Sequence, residues 1–242
     1  MERKLIRDIF TRHKGRYGHR RIALELRNKM GFCLSNKTVI KLMHEEGLRC
    51  KIRAKRYNSY KGEIGKIAPN VLDRGFSADR PGQKWLTDVT EFKAGGQRVY
   101  LAPILDLYNG EIISYTVNTG QNLRPILDMF DKALSRRKHK GELLIHSDQG
   151  WQYQQKLFRK MLKKYGVKQS MSRKATCLDN APMESFFGHL KCEMYRGESF
   201  KTVQELKEAI DEYIHYYNYD RIKLKLGGLS PVDYRAYYLK AA

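Results

Sequence analysis

Apolar residues recur about once per helical turn near the start of the chain. Ile22, Leu26 and Met30 form one such series, and a glycine ends it. Ser35 is a candidate N-cap for a second amphipathic segment, which a further glycine ends. Two short helices joined by a tight turn are typical of a helix-turn-helix motif, although an ordinary helical hairpin has the same pattern. We predict a small all-α helix-turn-helix module over residues 1–48.

After residue 84 the pattern becomes that of a sheet with helices. Segments rich in β-branched and aromatic residues predict strands at 85–92, 99–107, 112–117, 143–146 and 167–171. Glycine-containing hairpin turns join the first three segments, and amphipathic helices alternate with the last two. Two further helices are predicted over 181–195 and 203–217. The order indicates an α/β fold, in which a mixed five-stranded sheet is flanked by helices.

Between these two patterns lies a stretch without regular apolar spacing. It begins with a basic run at 49–56 and continues through two glycines and a proline. Such a run is usually a solvated segment, but between two parts that face nucleic acid it can follow a phosphate backbone. We predict a basic linker over 49–78 and an α/β core with C-terminal helices over 79–242.

The charge of the chain indicates a polyanionic partner. There are 47 Lys and Arg against 26 Asp and Glu, which gives a net charge of +21, whereas solubility alone needs a magnitude of only about 2–8. The first 70 residues carry more than half of this excess, which favours DNA binding by the predicted module. Asn36, Lys37 and Lys41 lie near the exposed side of its second helix and are candidate DNA contacts.

Other features of the composition exclude some classes of protein. No apolar run approaches the roughly 18 residues that a spanning helix needs, and no secretory signal is visible, so we expect a cytoplasmic protein without membrane contact. The cysteines are scattered, which favours buried reduced thiols: Cys33, Cys50, Cys177 and Cys192. A zinc site from His13, His19, Cys33 and Cys50 is a weaker alternative, because the two cysteines are too far apart for the usual short spacing.

Three carboxylates lie where a catalytic site is expected. Asp88 interrupts the first apolar strand, Asp148 follows the strand at 143–146, and Glu184 lies in the first turns of a helix. Ligands of α/β sheets gather at the carboxyl ends of strands. Carboxylates that converge repel each other unless a cation joins them, and Mg²⁺ prefers oxygen ligands. Two such ions can activate an attacking oxygen and stabilise the leaving oxygen of a phosphodiester.

The helix that carries Glu184 supports this interpretation. Glu184, Gly188 and Lys191 share one face, while apolar residues cover the neighbouring face. Gly188 costs the helix about 1 kcal/mol relative to alanine, so we infer that space is needed there for a metal or a sugar–phosphate backbone. Lys191 is then placed to bind phosphate. The alternative is an acid and a base on the surface of an ordinary amphipathic helix.

Several neighbouring residues are weaker candidates. Asp106 and Asp179 are expected to support the site or a helix N-terminus rather than to touch metal. His146 and Asn180 adjoin the trio and are expected to position it. Four tyrosines near the C-terminal end offer stacking surfaces for bases: Tyr213, Tyr216, Tyr217 and Tyr219. The alternative is that Tyr213 and Tyr217 belong to the core and that the other two lie on the surface.

The order and spacing of these motifs resemble a known family. Asp148 and Glu184 are separated by 35 residues and Lys191 follows seven positions later, as in the DDE signature of retroviral integrases and bacterial insertion-sequence transposases. The motifs around the acids and near the ends are similar to the OrfB half of the group with two overlapping frames: Lys84–Thr90, His146–Gly150, Asp179–Phe187, Tyr216–Arg221, Leu229–Tyr234 and Tyr17–Ile22.

The resemblance implies an RNase H-like core that acts on double-stranded DNA, with Asp88, Asp148 and Glu184 as ligands of two Mg²⁺ ions, for which Mn²⁺ substitutes. Water would cut the element end, and the freed 3′-OH would attack another phosphodiester without a covalent protein–DNA intermediate. Arg20 and Arg21 would lie at the start of a DNA-binding module. An OrfA partner normally supplies a leucine zipper and a first helix-turn-helix. A homodimer or higher assembly in the bacterial nucleoid is also expected, since two ends must be joined.

Other functions remain open at the level of the sequence. A DNA-binding regulator, or an accessory partner of a full-length transposase, would need the basic module but not the acids. A ribonuclease H-type nuclease would use the same core but has no need of the module. A glycosidase also pairs two carboxylates, but nothing in its chemistry requires a charge of +21.

Overall fold

The computed structural model describes residues 1–51, 67–137, 141–174 and 176–240. The chain begins with three helices, α1 Glu2–Arg12, α2 His19–Met30 and α3 Asn36–Glu45. The predicted pair is confirmed as α2 and α3: Gly31 ends α2 with a φ of 70°, and the hydroxyl of Ser35 accepts a hydrogen bond from the backbone N–H of Thr38. Helix α1 was not predicted from the sequence, and its buried Ile6 and Ile9 complete the small core of the module.

The sheet has six strands within the described residues. They are β1 Lys84–Thr87, β2 Thr90–Ala94, β3 Gln97–Asp106, β4 Ile112–Asn118, β5 Leu144–Ser147 and β6 Lys168–Met171. Antiparallel pairing joins β3 to β1, β2 and β4, and parallel pairing joins β1 to β5 and β5 to β6. The predicted mixed α/β sheet is confirmed, but the predicted number of five strands is wrong.

The extra strand arises because the first predicted strand, 85–92, is broken at Asp88. Thr87 pairs with Ile104 and Thr90 pairs with Leu101, so β1 and β2 keep one register along β3. That register places Pro103 opposite Asp88. Proline has no backbone N–H to donate to a neighbouring strand, and the ladder is interrupted at this point.

Helices cover both faces of the sheet. On one face α7 Ala181–Leu190 and α8 Val203–Tyr219 pack over Leu86 and Phe92. On the other, α4 Leu123–Ser135 and α6 Lys156–Lys164 pack over Trp85 and Ile145. The short α5 Trp151–Gln154 precedes α6, and α9 Pro231–Lys240 ends the described chain. Because side chains alternate across a strand, neighbouring residues of β1 contribute to two separate cores.

Two helical predictions need correction. The helix expected over 181–195 is α-helical only to Leu190, and Lys191–Tyr195 forms one turn of π-helix. Helix α9 was not predicted from the sequence. No helix of the described segments is long and apolar enough to cross a membrane.

The N-terminal module packs against the C-terminal part of the core. The hydroxyl of Tyr17 donates to the backbone carbonyl of Asp220 and accepts from the backbone N–H of Ile222. Ile222 itself is buried among the apolar residues of the module. Tyr216 is half-buried and packs beside His13 and Arg16, so its expected place on the surface is wrong.

Part of the predicted linker lies against the sheet. The backbone N–H groups of Val71 and Leu72 donate to the hydroxyl of Ser170 on β6, and Leu72 is buried. Lys84 donates to the carbonyls of Gly75 and Ser77. The remainder of the predicted linker, from 52 to 66, falls outside the described residues.

Candidate active site

Asp88 lies in the gap between β1 and β2, where the broken ladder leaves its backbone unpaired with β3. Its side chain is buried, and one carboxylate oxygen accepts a hydrogen bond of 2.7 Å from the backbone N–H of Val89. The pairing of Thr87 with Ser147 puts the carboxyl ends of β1 and β5 side by side. The residue that follows β5 is therefore brought next to Asp88.

That residue is Asp148, whose carboxylate accepts a hydrogen bond of 2.9 Å from the backbone N–H of Gly150. A Cβ atom on Gly150 would lie 2.9 Å from an oxygen of Asp148 and 2.6 Å from the side-chain amide of Gln152. A side chain at this position would displace the carboxylate of Asp148 or the amide of Gln152. Glycine at 150 thus allows the turn that holds the carboxylate of Asp148.

The electrostatics of the two aspartates reflect their proximity. Burial raises the pKa of Asp88 well above its ordinary value, and the charges of Asp148 and then Glu184 raise it further. The N–H of Val89 and the ammonium of Lys191 act in the opposite direction. Burial also raises the pKa of Asp148, although the N–H of Gly150 lowers it. Two desolvated carboxylates at one strand edge are an unfavourable arrangement without a cation.

Glu184 faces the same region from α7. The helix begins at Ala181 with Pro182 in its first turn, a position that proline favours. Glu184 is half-buried in that first turn, and its charge raises the pKa of Asp88. The charges of Asp148 and Glu184 therefore both act on Asp88, and the two aspartates line a shared cavity.

This cavity, called the site cavity below, has a volume of about 340 Å³. Its lining includes both aspartates and Lys191, together with Glu91, Tyr100, Asn118, Asn122, Trp151 and Gln152. Burial lowers the pKa of Lys191, whereas Glu91 and Asp88 raise it. The ammonium also lies 5.2 Å from the ring centre of Phe92. A partly desolvated cation next to two acids suits a phosphodiester ligand.

Most of the cavity wall was not predicted from the sequence. Tyr100 and Asn118 are paired across β3 and β4, and Asn122 precedes α4. They come from distant strands and loops, and no motif or spacing marked them. Trp151 had a weak signal, since it directly follows the Asp148-Gln149-Gly150 motif.

His146 supports the strand that leads to Asp148. The hydroxyl of Ser170 accepts from two backbone N–H groups, so its own hydrogen is directed to Nδ1 of His146 at 2.8 Å. Nε2 then carries the proton and donates to the hydroxyl of Ser172 at 3.0 Å. Burial lowers the pKa of His146 to about 4, in agreement with a neutral ring. These contacts hold β5 against β6 directly before the turn that carries Asp148.

The two competing aspartates lie outside the site cavity. Asp106 accepts hydrogen bonds from the backbone N–H groups of Gly82 and Tyr108 and from the indole of Trp85. Asp179 is fully buried and binds Arg173 through two side-chain nitrogens, at 2.8 and 2.9 Å, and Arg74 at 2.9 Å. These arginines hold the pKa of Asp179 well below its usual range.

The residues of the N-terminal module that were predicted to contact DNA differ in exposure and in their contacts. Arg20, Asn36, Lys37 and Lys41 are exposed on α2 and α3. Arg21 instead packs over the ring of Tyr17, and its Nε donates to the backbone carbonyl of Ile222 at 3.2 Å. Its guanidinium thus connects the module to the core.

One of the residues considered for zinc, His13, has other contacts. His13 is buried, forms a contact of 2.9 Å with Glu25, and stacks on Tyr17. Cys33 is exposed and Cys50 half-buried, so the expectation that these thiols are buried is wrong for Cys33.

The site cavity fits a divalent cation. Asp88 and Asp148 supply carboxylate oxygens, and their raised pKa values mark a place where positive charge is favourable. Among the described residues, no three His, Cys, Asp or Glu side chains are grouped tightly enough to hold one ion. Mg²⁺, however, is commonly held by one or two carboxylates together with water and substrate phosphates.

Comparisons with known proteins agree with this architecture. Residues 78–177 and 184–239 match families described as integrase core domain, and residues 1–56 match a family described as HTH-like domain. The catalytic core domain of the HTLV-2 integrase, solved in complex with magnesium, shares the fold with a TM-score of 0.50 at 18% identity, over 65% of this chain and 98% of that one.

Two bacterial relatives are much more similar in sequence. Transposase InsK of insertion sequence element IS150 from Escherichia coli is 47% identical over 233 residues, which cover 96% of this chain and 82% of that protein. A transposase-like protein from Haemophilus influenzae is 48% identical over 202 residues, or 84% of this chain and 93% of that protein. The resemblance found in the motifs is confirmed. The chain belongs to the bacterial insertion-sequence transposases that carry an integrase core domain.

Proposed function

We propose that this chain is a transposase that cleaves the ends of its element and joins each 3′-OH to another DNA phosphodiester with the help of divalent metal. The observation that carries the proposal is the placement of Asp88 and Asp148 on one buried edge of the sheet in a strongly basic protein. A divalent cation would relieve the repulsion between these acids, and phosphate oxygens of DNA would complete its ligands. The positive charge of the rest of the chain favours a polyanionic substrate.

The roles of the residues follow from their positions. Asp88 and Asp148 would hold Mg²⁺ or Mn²⁺, and Glu184 would complete the ligand set from α7 when DNA is bound. Lys191, on the wall of the same cavity, would bind a phosphate of the scissile strand. When bound, the metal supplies positive charge to the attacking and leaving oxygens of the phosphodiester.

Two displacements account for the reaction. In the first, water attacks the phosphorus at the element end, the bond from phosphorus to the 3′ oxygen breaks, and a 3′-OH is released. In the second, this hydroxyl attacks a phosphodiester of another strand, a new bond to phosphorus forms, and the 3′ oxygen of that strand leaves. The side chains of the protein orient the phosphates and form no covalent bond with DNA.

The N-terminal module would bind the DNA beside the cleavage point. The exposed Arg20, Asn36, Lys37 and Lys41 are suited to contact base edges or phosphates from α2 and α3. Arg21 is left out of this set, because its side chain already bonds within the chain. A homodimer or larger assembly would bring two ends together, with an OrfA protein as a further partner.

The test measures cleavage and joining with duplexes that carry the terminal sequences of the element encoding the chain. Wild type is compared with Asp148→Asn and with Asp128→Asn, a matched control whose carboxylate is exposed on α4. We expect Mg²⁺- or Mn²⁺-dependent products from wild type and the control, and a loss of at least a hundredfold in Asp148→Asn. Equal activity of all three proteins would overturn the proposal.

The same assay separates the competing functions. A DNA-binding regulator would retain salt-sensitive binding but give no product with either metal. A ribonuclease H-type enzyme would cleave an RNA–DNA hybrid and leave the element ends intact. Either result would contradict the proposed strand transfer.

A further inference from the structure

Helix α6 carries an unusual concentration of positive charge. Five of its nine residues are basic and none is acidic: Lys156, Arg159, Lys160, Lys163 and Lys164. Its apolar residues Phe158 and Leu162 are buried against the core. The helix is therefore fixed to the sheet by one face and presents cations on the other.

Three of these cations have no acidic partner among the described residues. Lys156, Lys160 and Lys163 are exposed, and no carboxylate lies within salt-bridge distance of any of them. The basic residues around them differ, because Lys164 pairs with Asp131 at 3.4 Å and Lys168 pairs with Glu142 at 3.1 Å. Exposed lysines are usually balanced by nearby acids on mixed surfaces. We call Lys156, Lys160 and Lys163 the α6 lysines.

Arg159 adds a second observation on the same helix. Its Nε is buried and has no hydrogen-bond acceptor within the described chain. That nitrogen does not face solvent, but the half-buried guanidinium group lies on the same helix as the α6 lysines. Phosphate oxygens are strong acceptors for guanidinium groups.

The position of the helix relates this charge to the site cavity. Trp151 and Gln152 of α5 line the cavity together with Asp148, and α6 begins directly after α5. The α6 lysines lie at i, i+4 and i+7, on one side of the helix. They extend over about 10 Å along its axis, which corresponds to about three phosphates of one DNA strand at a rise of 3.4 Å.

We propose that the α6 lysines and Arg159 form a second DNA-binding surface, which holds the phosphate backbone of the substrate duplex as it leaves the site cavity. The partner is double-stranded DNA, because a regular row of cations without acids matches a regular row of phosphates. The surface is separate from the helix-turn-helix module. The choice of DNA as its ligand rests on the proposed function, but DNA binding by this surface requires neither metal nor catalysis.

The test compares two triple variants of equal charge. Lys156→Gln/Lys160→Gln/Lys163→Gln removes the α6 lysines, and Lys93→Gln/Lys201→Gln/Lys225→Gln removes three exposed lysines of other elements. Affinity for an element-end duplex and for a scrambled duplex is measured over a range of salt concentrations in EDTA. Thermal unfolding checks that both variants remain folded, which we expect because all six side chains are exposed.

We expect the α6 variant to lose on the order of tenfold or more in affinity at about 0.1 M salt, equally for both duplexes, and its salt slope to decrease by about 3. The control should change both quantities much less. If the two triple variants bind alike, the surface is not a DNA site. If only the element-end duplex is affected, the helix reads sequence and the proposed backbone contact is wrong.

Because no divalent metal is present, this result is independent of catalysis. If wild type shows no strand transfer but the α6 variant still loses affinity for DNA, only the proposed function is overturned. If wild type is fully active but the two triple variants bind DNA with equal affinity, only the proposal of a second DNA-binding surface is overturned.

Discussion

The side-chain amide of Asn180 donates a hydrogen bond of 3.4 Å to the backbone carbonyl of Thr87. Thr87 directly precedes Asp88, and Asn180 precedes Glu184 by one helical turn. Asn180 is the N-cap residue of α7, yet its side chain does not cap the helix. Its Oδ1 is buried without a partner in the described chain. The residue therefore connects the strand of the first acid to the helix of the third.

Replacement of Asn180 by alanine should separate these two elements. We expect the Mg²⁺ concentration for half-maximal joining to rise several-fold. The free energy of unfolding should change by only about 1 kcal/mol, because one long hydrogen bond and one unsatisfied acceptor are lost together. Joining over a range of Mg²⁺ concentrations, together with urea unfolding, gives both quantities.

Asn70→Ala is the matched control for this variant. Asn70 donates to Asp179 at 3.1 Å and accepts from the backbone N–H of Asp73, away from the site cavity. It should reduce stability without changing the metal requirement. Equal shifts in the Mg²⁺ requirement of both variants would show that Asn180 has only a structural role.

The sequence predicted the acids better than their surroundings. Asp88 and Asp148 could be proposed because a charged residue in an apolar strand or after a strand end is visible in a linear pattern, and Glu184 because it lies in the first turns of a helix. The break of the first strand was not predicted, since it depends on Pro103 of a neighbouring strand. The cavity wall was missed for the same reason. Tyr100, Asn118 and Trp151 are brought together only by strand pairing and loop geometry.

The N-terminal region shows the same limit. The family resemblance of residues 17–22 implied Arg20 and Arg21 equally as DNA contacts, because the sequence does not show which of two neighbours points inward. The contact of Arg21 with Ile222 is formed by residues about 200 positions apart. Long-range contacts of this kind have no local signal.

Neutralising Asp148 should stabilise the protein when no metal is present. Asp148→Asn removes a charge that raises the pKa of Asp88, while the amide oxygen still accepts from Gly150. We expect an increase of about 1 kcal/mol or more in the free energy of unfolding in EDTA. Added Mg²⁺ should then stabilise wild type, because a ligand that binds only the folded state raises its stability. The variant should respond little.

Thermal unfolding with EDTA or with millimolar Mg²⁺ checks both parts of this prediction. The exposed Asp128→Asn should behave as wild type in both buffers. A lower stability of Asp148→Asn in EDTA would show that the two carboxylates do not repel each other. An unchanged response to Mg²⁺ would show that Asp148 is not a ligand.

The ion pair of Glu193 and Arg221 should be important for stability. Both side chains are buried, with contacts of 2.6 and 2.9 Å, and the hydroxyl of Tyr213 donates to the same carboxylate at 3.0 Å. The backbone carbonyl of Glu193 also accepts from Arg16 of the N-terminal module. Glu193→Gln leaves a buried guanidinium without its counter-charge, and we expect a loss of about 3–5 kcal/mol in urea unfolding.

A double variant distinguishes lost pairing from lost packing. Glu193→Met/Arg221→Met removes both charges and should recover much of the loss, since buried ion pairs are often replaceable by apolar side chains. The exposed pair of Glu142 and Lys168 is the control, and Glu142→Gln should cost less than about 1 kcal/mol. A double variant less stable than Glu193→Gln would contradict this account.

The stability of the folded chain should also depend on His189, in the last turn of α7. Burial, followed by the positive charge of Arg221, lowers the pKa of His189 from 6.5 to about 4. Between these values the unfolded chain binds a proton that the folded chain does not, so the free energy of unfolding falls as the pH falls from about 6.5 to 4. At pH 5 this loss of stability is about 2 kcal/mol, and above pH 6.5 it disappears.

We expect His189→Asn to lose less stability than wild type between pH 7.5 and pH 5, by about 2 kcal/mol, in urea unfolding at the two pH values. The exposed His44→Asn is the matched control and should follow wild type. The same loss in His189→Asn as in wild type would mean that His189 takes up its proton equally in the folded and the unfolded chain.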